Sequence, residues 1–91
     1  DGSITGQVLT IDRFGNLLSN IGARLGGTVT IAERRIAVSR TYADVPVGRL
    51  IALAGSSGFL EVAVRGVSAQ DVLQVSRGAP MHWSPQELAE R

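Results

Sequence analysis

The 91 residues of this chain suit one small domain, 1–91, with a single core, because a folded chain of this size buries roughly 60 to 65% of its unfolded surface. Hydrophobic residues make up 44% of the chain and charged residues 19%, a composition that excludes intrinsic disorder. The formal charge is +1 and the arginines are scattered, which excludes the clustered basic surface of a nucleic-acid-binding protein. The absence of cysteine and the single histidine exclude disulfides and a zinc site.

Apolar residues alternate with polar ones in short runs along the chain, the period-two pattern of half-buried strands. The runs lie at 6–11, 17–21, 28–32, 35–40, 50–54 and 59–64, with a short seventh at 79–83. Many are separated by glycines, which tight turns require. Six or seven short strands cannot hide both faces of a flat sheet, so we predict an all-β fold, a small antiparallel Greek-key barrel, with a tight sandwich as the alternative.

The loop 12–16, between the first two runs, carries a carboxylate and a carboxamide four residues apart. Asp12 would accept a hydrogen bond from an ammonium group, and Asn16 offers the donor and acceptor that an adenine edge needs. Both residue types also form turns by bonding their own backbone. From the residues alone, a turn is the simpler interpretation and ligand binding the alternative.

A second candidate is the segment 55–61, in which Ser56 and Ser57 stand between glycines just before a strand. Two hydroxyls and open backbone amides would suit a carboxylate, because glycine lets a ligand approach the main chain. The alternative is a flexible turn, which a Ser-Ser-Gly segment forms equally well.

Two short helices are predicted after the sixth strand, each opened by a capping box. Ser68 to Asp71 opens a single turn that runs through Leu73. Ser84 to Glu87 opens a terminal helix with proline at its first position, where the missing amide costs nothing.

Taken together, three segments resemble the C-terminal domain of the S-adenosylmethionine (SAM) hydroxide adenosyltransferases, relatives of fluorinase and chlorinase. The segments are 11–17 with 19–21 (IDRFGNL and SNI), 41–46 with Gly48 (TYADVP), and 56–64 (SSGFLEVAV). Their order and spacing are more specific than any one motif, and the match covers most of the chain. Two positions depart from the family pattern: Gly55 and Arg65 stand where many relatives have asparagine.

The resemblance implies a role for each matching residue. Asp12 would hold the methionine amine, Asn16 would bind the adenine, and Tyr42 would stack on the base. Ser56 and Ser57 would contact the amino-acid end of the substrate, and backbone groups near Val64 to Gly66 would complete adenine recognition. The remaining substrate-binding position is Glu61. Arg65 would place a cation beside that adenine edge.

The implied reaction is substitution at the ribose 5′ carbon by water or hydroxide, which gives adenosine and methionine. SAM is then substrate, and no cofactor or metal is expected. In this family the site forms in a homotrimer, between one subunit's C-terminal barrel and a neighbour's N-terminal domain, in the cytoplasm. We expect no catalytic residue in these 91 residues, no turnover by them alone, and no nucleic-acid or membrane partner.

A stand-alone binding or assembly module is the alternative from a different functional class, because barrels of this size host many functions. The weak net charge and the small number of aromatic residues disfavour it. An upstream segment of the family's N-terminal type in the parent gene would discriminate between the two.

Overall fold

In a computed structural model, which describes residues 1–40 and 42–88, seven strands close into a barrel. The strands are β1 (Ile4–Ile11), β2 (Leu17–Gly22), β3 (Thr28–Ile31), β4 (Arg34–Ser39), β5 (Leu50–Ala54), β6 (Phe59–Val64) and β7 (Pro80–Ser84). Their order around the barrel is β1, β2, β6, β5, β4, β3 and β7, and β7 pairs again with β1. Closure pairs each of these strands on both sides and leaves no sheet edge among them. The predicted all-β barrel is confirmed.

One pair of neighbouring strands is parallel, so the barrel is mixed. The prediction of a wholly antiparallel barrel is wrong for this pair. β4 and β5 pair with Val38 beside Ala52, whereas the other neighbouring strands run antiparallel. Parallel strands need a crossover connection because a tight hairpin reverses the chain. The connection between β4 and β5 contains a 3₁₀ turn at Tyr42–Asp44 and brings Tyr42 to the end of β6.

The barrel is filled by the inward-facing side chains of alternate strand positions. In β2, Leu17, Ser19 and Ile21 are buried while Asn20 between them is exposed. The largest fully buried apolar side chains are Val8, Leu17, Ile21, Val29, Ile31, Ile51, Leu60, Val62, Val64 and Met81. Burial of aliphatic groups therefore supplies most of the driving force for folding.

A buried serine accompanies an irregularity in the barrel wall. The register of β2 against β6 shifts between Leu18 and Gly22. The Ser19 hydroxyl, inside this stretch, donates to the Leu60 carbonyl at 2.7 Å and accepts from the Ile21 amide at 3.1 Å. The Leu60 carbonyl and the Ile21 amide are both hydrogen-bonded in this way, so the irregularity leaves neither of them without a partner.

The first predicted helix is confirmed and the second is wrong over the described residues. Helix α1 (Ala69–Leu73) begins after Ser68, whose hydroxyl accepts from the Asp71 amide at 3.1 Å. At the second position the strand β7 runs through Ser84, and residues 85–88 form no helix. The rest of the predicted terminal helix, 89–91, lies outside the described residues.

The segment after β7 bonds to the barrel instead of coiling. The Glu87 carboxylate accepts from the Gly27 amide, and the Thr28 hydroxyl donates to the Gln86 carbonyl at 2.8 Å. The Ser84 hydroxyl accepts from the Gln86 amide, two residues away, at 3.2 Å. The Ser84 hydroxyl and the Glu87 carboxylate are the two side-chain groups that a capping box would have used, and both bond elsewhere. The long-range bonds to Gly27 and Thr28 therefore override the local helix signal.

Candidate functional site

The loop between β1 and β2 is organised by the carboxylate of Asp12. One carboxylate oxygen accepts from the amides of Phe14 at 2.9 Å and Asn16 at 3.0 Å, and the other accepts from the Asn16 side chain at 3.0 Å. The backbone closes the loop as well, because the Asp12 amide donates to the Asn16 carbonyl at 3.0 Å. Asp12 is therefore a turn former, as its residue type alone indicated.

These hydrogen bonds also set the charge of the loop. Partial burial tends to raise the pKa of Asp12, but hydrogen bonds from Asn16, and then from Phe14 and Gly15, outweigh burial and lower the pKa from its ordinary value. Asp12 therefore stays ionised at neutral pH. Its negative charge is available to a cationic ligand even though the carboxylate also holds the loop.

The bond to Asp12 fixes the direction of the Asn16 carboxamide. A carboxylate only accepts hydrogen bonds, so Asn16 must present its nitrogen to Asp12. Among residues 1–40 and 42–88, no further hydrogen bond engages the other N–H or the oxygen of the Asn16 carboxamide. That N–H and that oxygen are the donor and acceptor pair that the edge of a nucleobase can use.

Helix α1 packs directly on this loop through Gly15. The Gly15 backbone has φ +86°, and a Cβ built there would collide with the Cβ and Cα of Ser68. The Gln70 amide donates to the Gly15 carbonyl at 3.0 Å. Glycine is required here both for its positive φ and for the close approach of Ser68.

The Tyr42 side chain lies against the end of β6. Its hydroxyl donates to the Val64 carbonyl at 3.0 Å and accepts from the Gly66 amide at 3.3 Å. The Arg65 guanidinium donates to the Val45 carbonyl at 2.9 Å, in the connection that carries Tyr42. The charged group of Arg65, one of the two departures from the family pattern, thus bonds the connection, and its effect on adenine binding stays a prediction.

The loop, the start of α1 and Tyr42 together enclose a groove of about 460 Å³, within the size range of small-molecule sites. Its lining residues are Phe14, Asn16, Tyr42, Gly66, Val67 and Ser68. Phe14 is 64% exposed and Tyr42 is 41% exposed. Two exposed aromatic rings beside a carboxamide and open main chain are suited to a planar, polar-edged ring.

A second carboxylate, Glu61, lies on the outer face of β6 near Asp12. Partial burial, and second the negative charge of Asp12, raise the pKa of Glu61 from its ordinary value. The Glu61 side chain passes over Gly55, where any Cβ would collide with its carboxyl group. Gly55, which stands where many relatives have asparagine, therefore leaves the space that the Glu61 carboxyl group occupies.

The structure groups the predicted site residues unevenly. Asn16, Tyr42 and Gly66 line the groove, and Val64 and Asp12 contact its lining residues. Glu61 lies beyond Asp12, outside the groove. Ser56 and Ser57 are exposed on the turn before β6, at the opposite end of that strand from Val64. They are not brought into the groove, although Glu61 lies between the two ends.

Three lining residues, Phe14, Val67 and Ser68, were missed by the sequence-based assignment. The sequence could have indicated Phe14, because an aromatic side chain in a polar loop is exposed to solvent unless a ligand or another part of the protein covers it. The guanidinium of Arg13 lies 5.0 Å from the Phe14 ring centroid. Val67 and Ser68 enter the groove only because the chain turns at Gly66, which has φ +94°.

In the part of the chain that the structure describes, no helix is long and apolar enough to span a membrane. Nor do three or more His, Asp or Glu side chains gather there in a group that fits a metal ion. His82 lies in β7, with its Nδ1 atom 3.1 Å from the Thr5 hydroxyl on β1, outside the groove.

Known proteins share both the sequence and the fold. Two proteins named (R)-S-adenosyl-L-methionine hydrolase, from Thermus thermophilus and Salinispora arenicola, are 46% identical over 77 residues and 40% identical over 78. The matches cover 84% and 81% of this chain, but the chain spans 30% of the length of each relative.

Solved structures agree with the sequence matches. A conserved hypothetical protein from Thermus thermophilus superposes with a TM-score of 0.83 at 43% identity, covering 88% of this chain and 34% of that one. An uncharacterized conserved protein from Thermotoga maritima gives 0.76 at 28% identity, with coverages of 91% and 36%. Residues 6–82 match the family SAM hydroxide adenosyltransferase C-terminal domain. This chain therefore belongs to the family of SAM hydroxide adenosyltransferase C-terminal domains.

Proposed function

We propose that this domain holds S-adenosylmethionine for cleavage to adenosine and methionine, with the adenine in the groove beside Phe14, Asn16 and Tyr42. The observation that carries the proposal is that two exposed aromatic rings and an oriented carboxamide line one groove. Stacking on aromatic rings and a donor–acceptor pair at the edge are how proteins bind a single nucleobase.

In this proposal the carboxylates of Asp12 and Glu61 hold the ammonium group of the substrate. Asp12 and Glu61 repel each other, which is part of the reason that the pKa of Glu61 is raised. A cation between them would relieve this repulsion and gain hydrogen bonds from charged partners. Ser56 and Ser57, on the turn before β6, would receive the substrate carboxylate at the far end of an extended molecule.

The reaction that we propose for the complete protein is a displacement at carbon. A hydroxide oxygen bonds to the ribose 5′ carbon while the bond from that carbon to sulfur breaks, and the bonding electron pair stays on sulfur. The cationic sulfonium becomes the neutral thioether of methionine, and adenosine carries the new hydroxyl. When water attacks instead, one proton is released. This domain contributes binding and orientation, which favour the displacement by holding the reactants in place.

The exposed apolar side chains around the groove support assembly with other parts of the protein. Phe14, Tyr42, Val47 and Val67 are between 41% and 73% exposed, and an apolar surface of this kind marks a site of contact. We propose that the protein's own N-terminal domain and a neighbouring subunit of a homotrimer cover this face in the cytoplasmic enzyme and complete the site.

Adenosine binding by this chain tests the adenine site directly. We expect adenosine at millimolar concentration to shift the backbone amide resonances of Phe14, Asn16 and Gly66, because a nucleoside alone offers only part of the contacts and binds weakly. The measurement is an amide NMR titration with the chain. A second groove, whose lining includes Arg24, Leu25 and Arg40, is the internal control. Largest shifts at those three residues would place the nucleoside elsewhere and contradict the proposal.

A further inference from the structure

The hydroxyl of Tyr42 bonds to two main-chain groups where β6 ends, the carbonyl of Val64 and the amide of Gly66, which is a residue that lines the groove. It donates to the Val64 carbonyl at 3.0 Å and accepts from the Gly66 amide at 3.3 Å. The phenol hydroxyl thus donates to the residue before Arg65 and accepts from the residue after it. Adenine presents the same combination, an amino donor next to a ring-nitrogen acceptor.

These two groups have no capacity left for a second partner of that kind. The Gly66 amide has one hydrogen, and Tyr42 holds it. The Val64 carbonyl has two lone pairs, and it accepts from both the Tyr42 hydroxyl and the Val67 amide, the latter at 3.3 Å. An adenine edge can reach this pair only after the hydroxyl leaves.

We propose that the Tyr42 hydroxyl occupies the adenine-binding pair of the free protein, so that the nucleoside must displace it to bind through Val64 and Gly66. The inference rests on the proposed function, since it concerns the same groove. It makes Tyr42 a specificity-determining residue with two opposed contributions. The ring provides a wall of the groove, while the hydroxyl competes with the base.

The connection that carries Tyr42 is held in place independently of this hydroxyl. The Arg65 amide donates to the Arg49 carbonyl at 3.3 Å, and the Gly48 amide donates to the Arg65 carbonyl at 2.8 Å. The Arg65 guanidinium adds its bond to the Val45 carbonyl at 2.9 Å. Removal of the hydroxyl alone therefore leaves the ring beside the groove, and Tyr42→Phe separates the two contributions.

The test is an NMR titration of the unmodified chain and of Tyr42→Phe with adenosine and with inosine. We expect Tyr42→Phe to bind adenosine about two- to ten-fold more tightly, because the base no longer competes with a hydroxyl for the pair. Inosine carries an oxygen where adenine has its amino donor, so its affinity should not increase. A modest fall in Tm with an unchanged barrel spectrum would show that the substitution is local.

The other outcomes separate this inference from the proposed function. If Tyr42→Phe binds adenosine equally or less tightly while Asn16→Ala abolishes binding, the groove holds the nucleoside and the competing role of the hydroxyl is wrong. An equal gain for adenosine and inosine would also overturn it, because the pair would not then be selecting the base edge. If adenosine shifts no groove resonance in either protein, both proposals fail together.

Discussion

Asp12→Asn is expected to weaken SAM binding by the complete protein about ten- to hundred-fold. The reason is the loss of a hydrogen bond between charged groups, which contributes about 1.5–3 kcal/mol. The substitution keeps the size of the side chain and one oxygen for the Phe14 and Asn16 amides. It removes the negative charge that, in our proposal, binds the substrate ammonium. The measurement is the dissociation constant of SAM, set beside the Tm of the same variant.

The same substitution disturbs the orientation of Asn16. In place of the carboxylate oxygen that accepts from the Asn16 side chain, the new carboxamide would present a nitrogen donor. Asn16 must then rotate its carboxamide, which exchanges donor and acceptor at the groove. Adenosine, which has no ammonium group, should therefore also bind more weakly to Asp12→Asn, but by a smaller factor than SAM.

Glu61→Gln is the matched control, because it removes one carboxylate charge without touching the loop. Loss of SAM affinity should be smaller than for Asp12→Asn. The low pKa of Asp12 keeps it ionised as the pH falls, whereas the raised pKa of Glu61 makes Glu61 protonate first. The contribution of Glu61 should therefore disappear at a higher pH than that of Asp12. Unchanged SAM affinity in Asp12→Asn, with an intact fold, would leave Asp12 as loop architecture only.

Gly15→Ala is expected to destabilise the domain by about 2–6 kcal/mol, the sum of a left-handed backbone strain and an overpacked contact. The backbone has φ +86°, and the added methyl group would meet the backbone of Ser68 as well as its side chain. Helix α1 would have to move away from the loop. Urea unfolding measures this loss, and a fall in adenosine affinity should accompany it.

Gly58→Ala is the matched control for the backbone strain alone. Gly58 has φ +92°, but an added Cβ there meets no atom within 4 Å. Its loss should be limited to the strain, roughly 1–3 kcal/mol. If the two variants lose equal stability, the packing of Ser68 on Gly15 does not contribute as described.

The sequence was sufficient for the strands because each buried face repeats every second residue. This signal is local, and it placed β5 and β6 at their observed bounds. The parallel pairing of β4 with β5 was not predictable, since pairing direction depends on how the connection crosses the barrel. The terminal helix failed for a similar reason: Glu87 bonds Gly27, a residue far away along the chain.

The site shows the same division between local and long-range information. The residue types of Asp12 and Asn16 allowed either a turn or a ligand contact, and the structure shows that Asp12 forms the turn and orients Asn16. The resemblance indicated Tyr42, but the bond of its hydroxyl to Val64 depends on a connection that no local pattern describes.

The most direct test of the central claim is the rate at which the complete protein releases adenosine from SAM, compared between Asn16→Ala and Asn20→Ala. Both variants remove a carboxamide, but Asn16 lines the groove, whereas Asn20 on β2 accepts from the Gln7 amide at 2.8 Å and does not line it. We expect kcat/KM to fall about ten-fold or more in Asn16→Ala, the loss of an adenine contact worth about 1–3 kcal/mol, and to change little in Asn20→Ala. Equal activity in the two variants, or no adenosine release by the unmodified protein with or without chloride, would contradict the account.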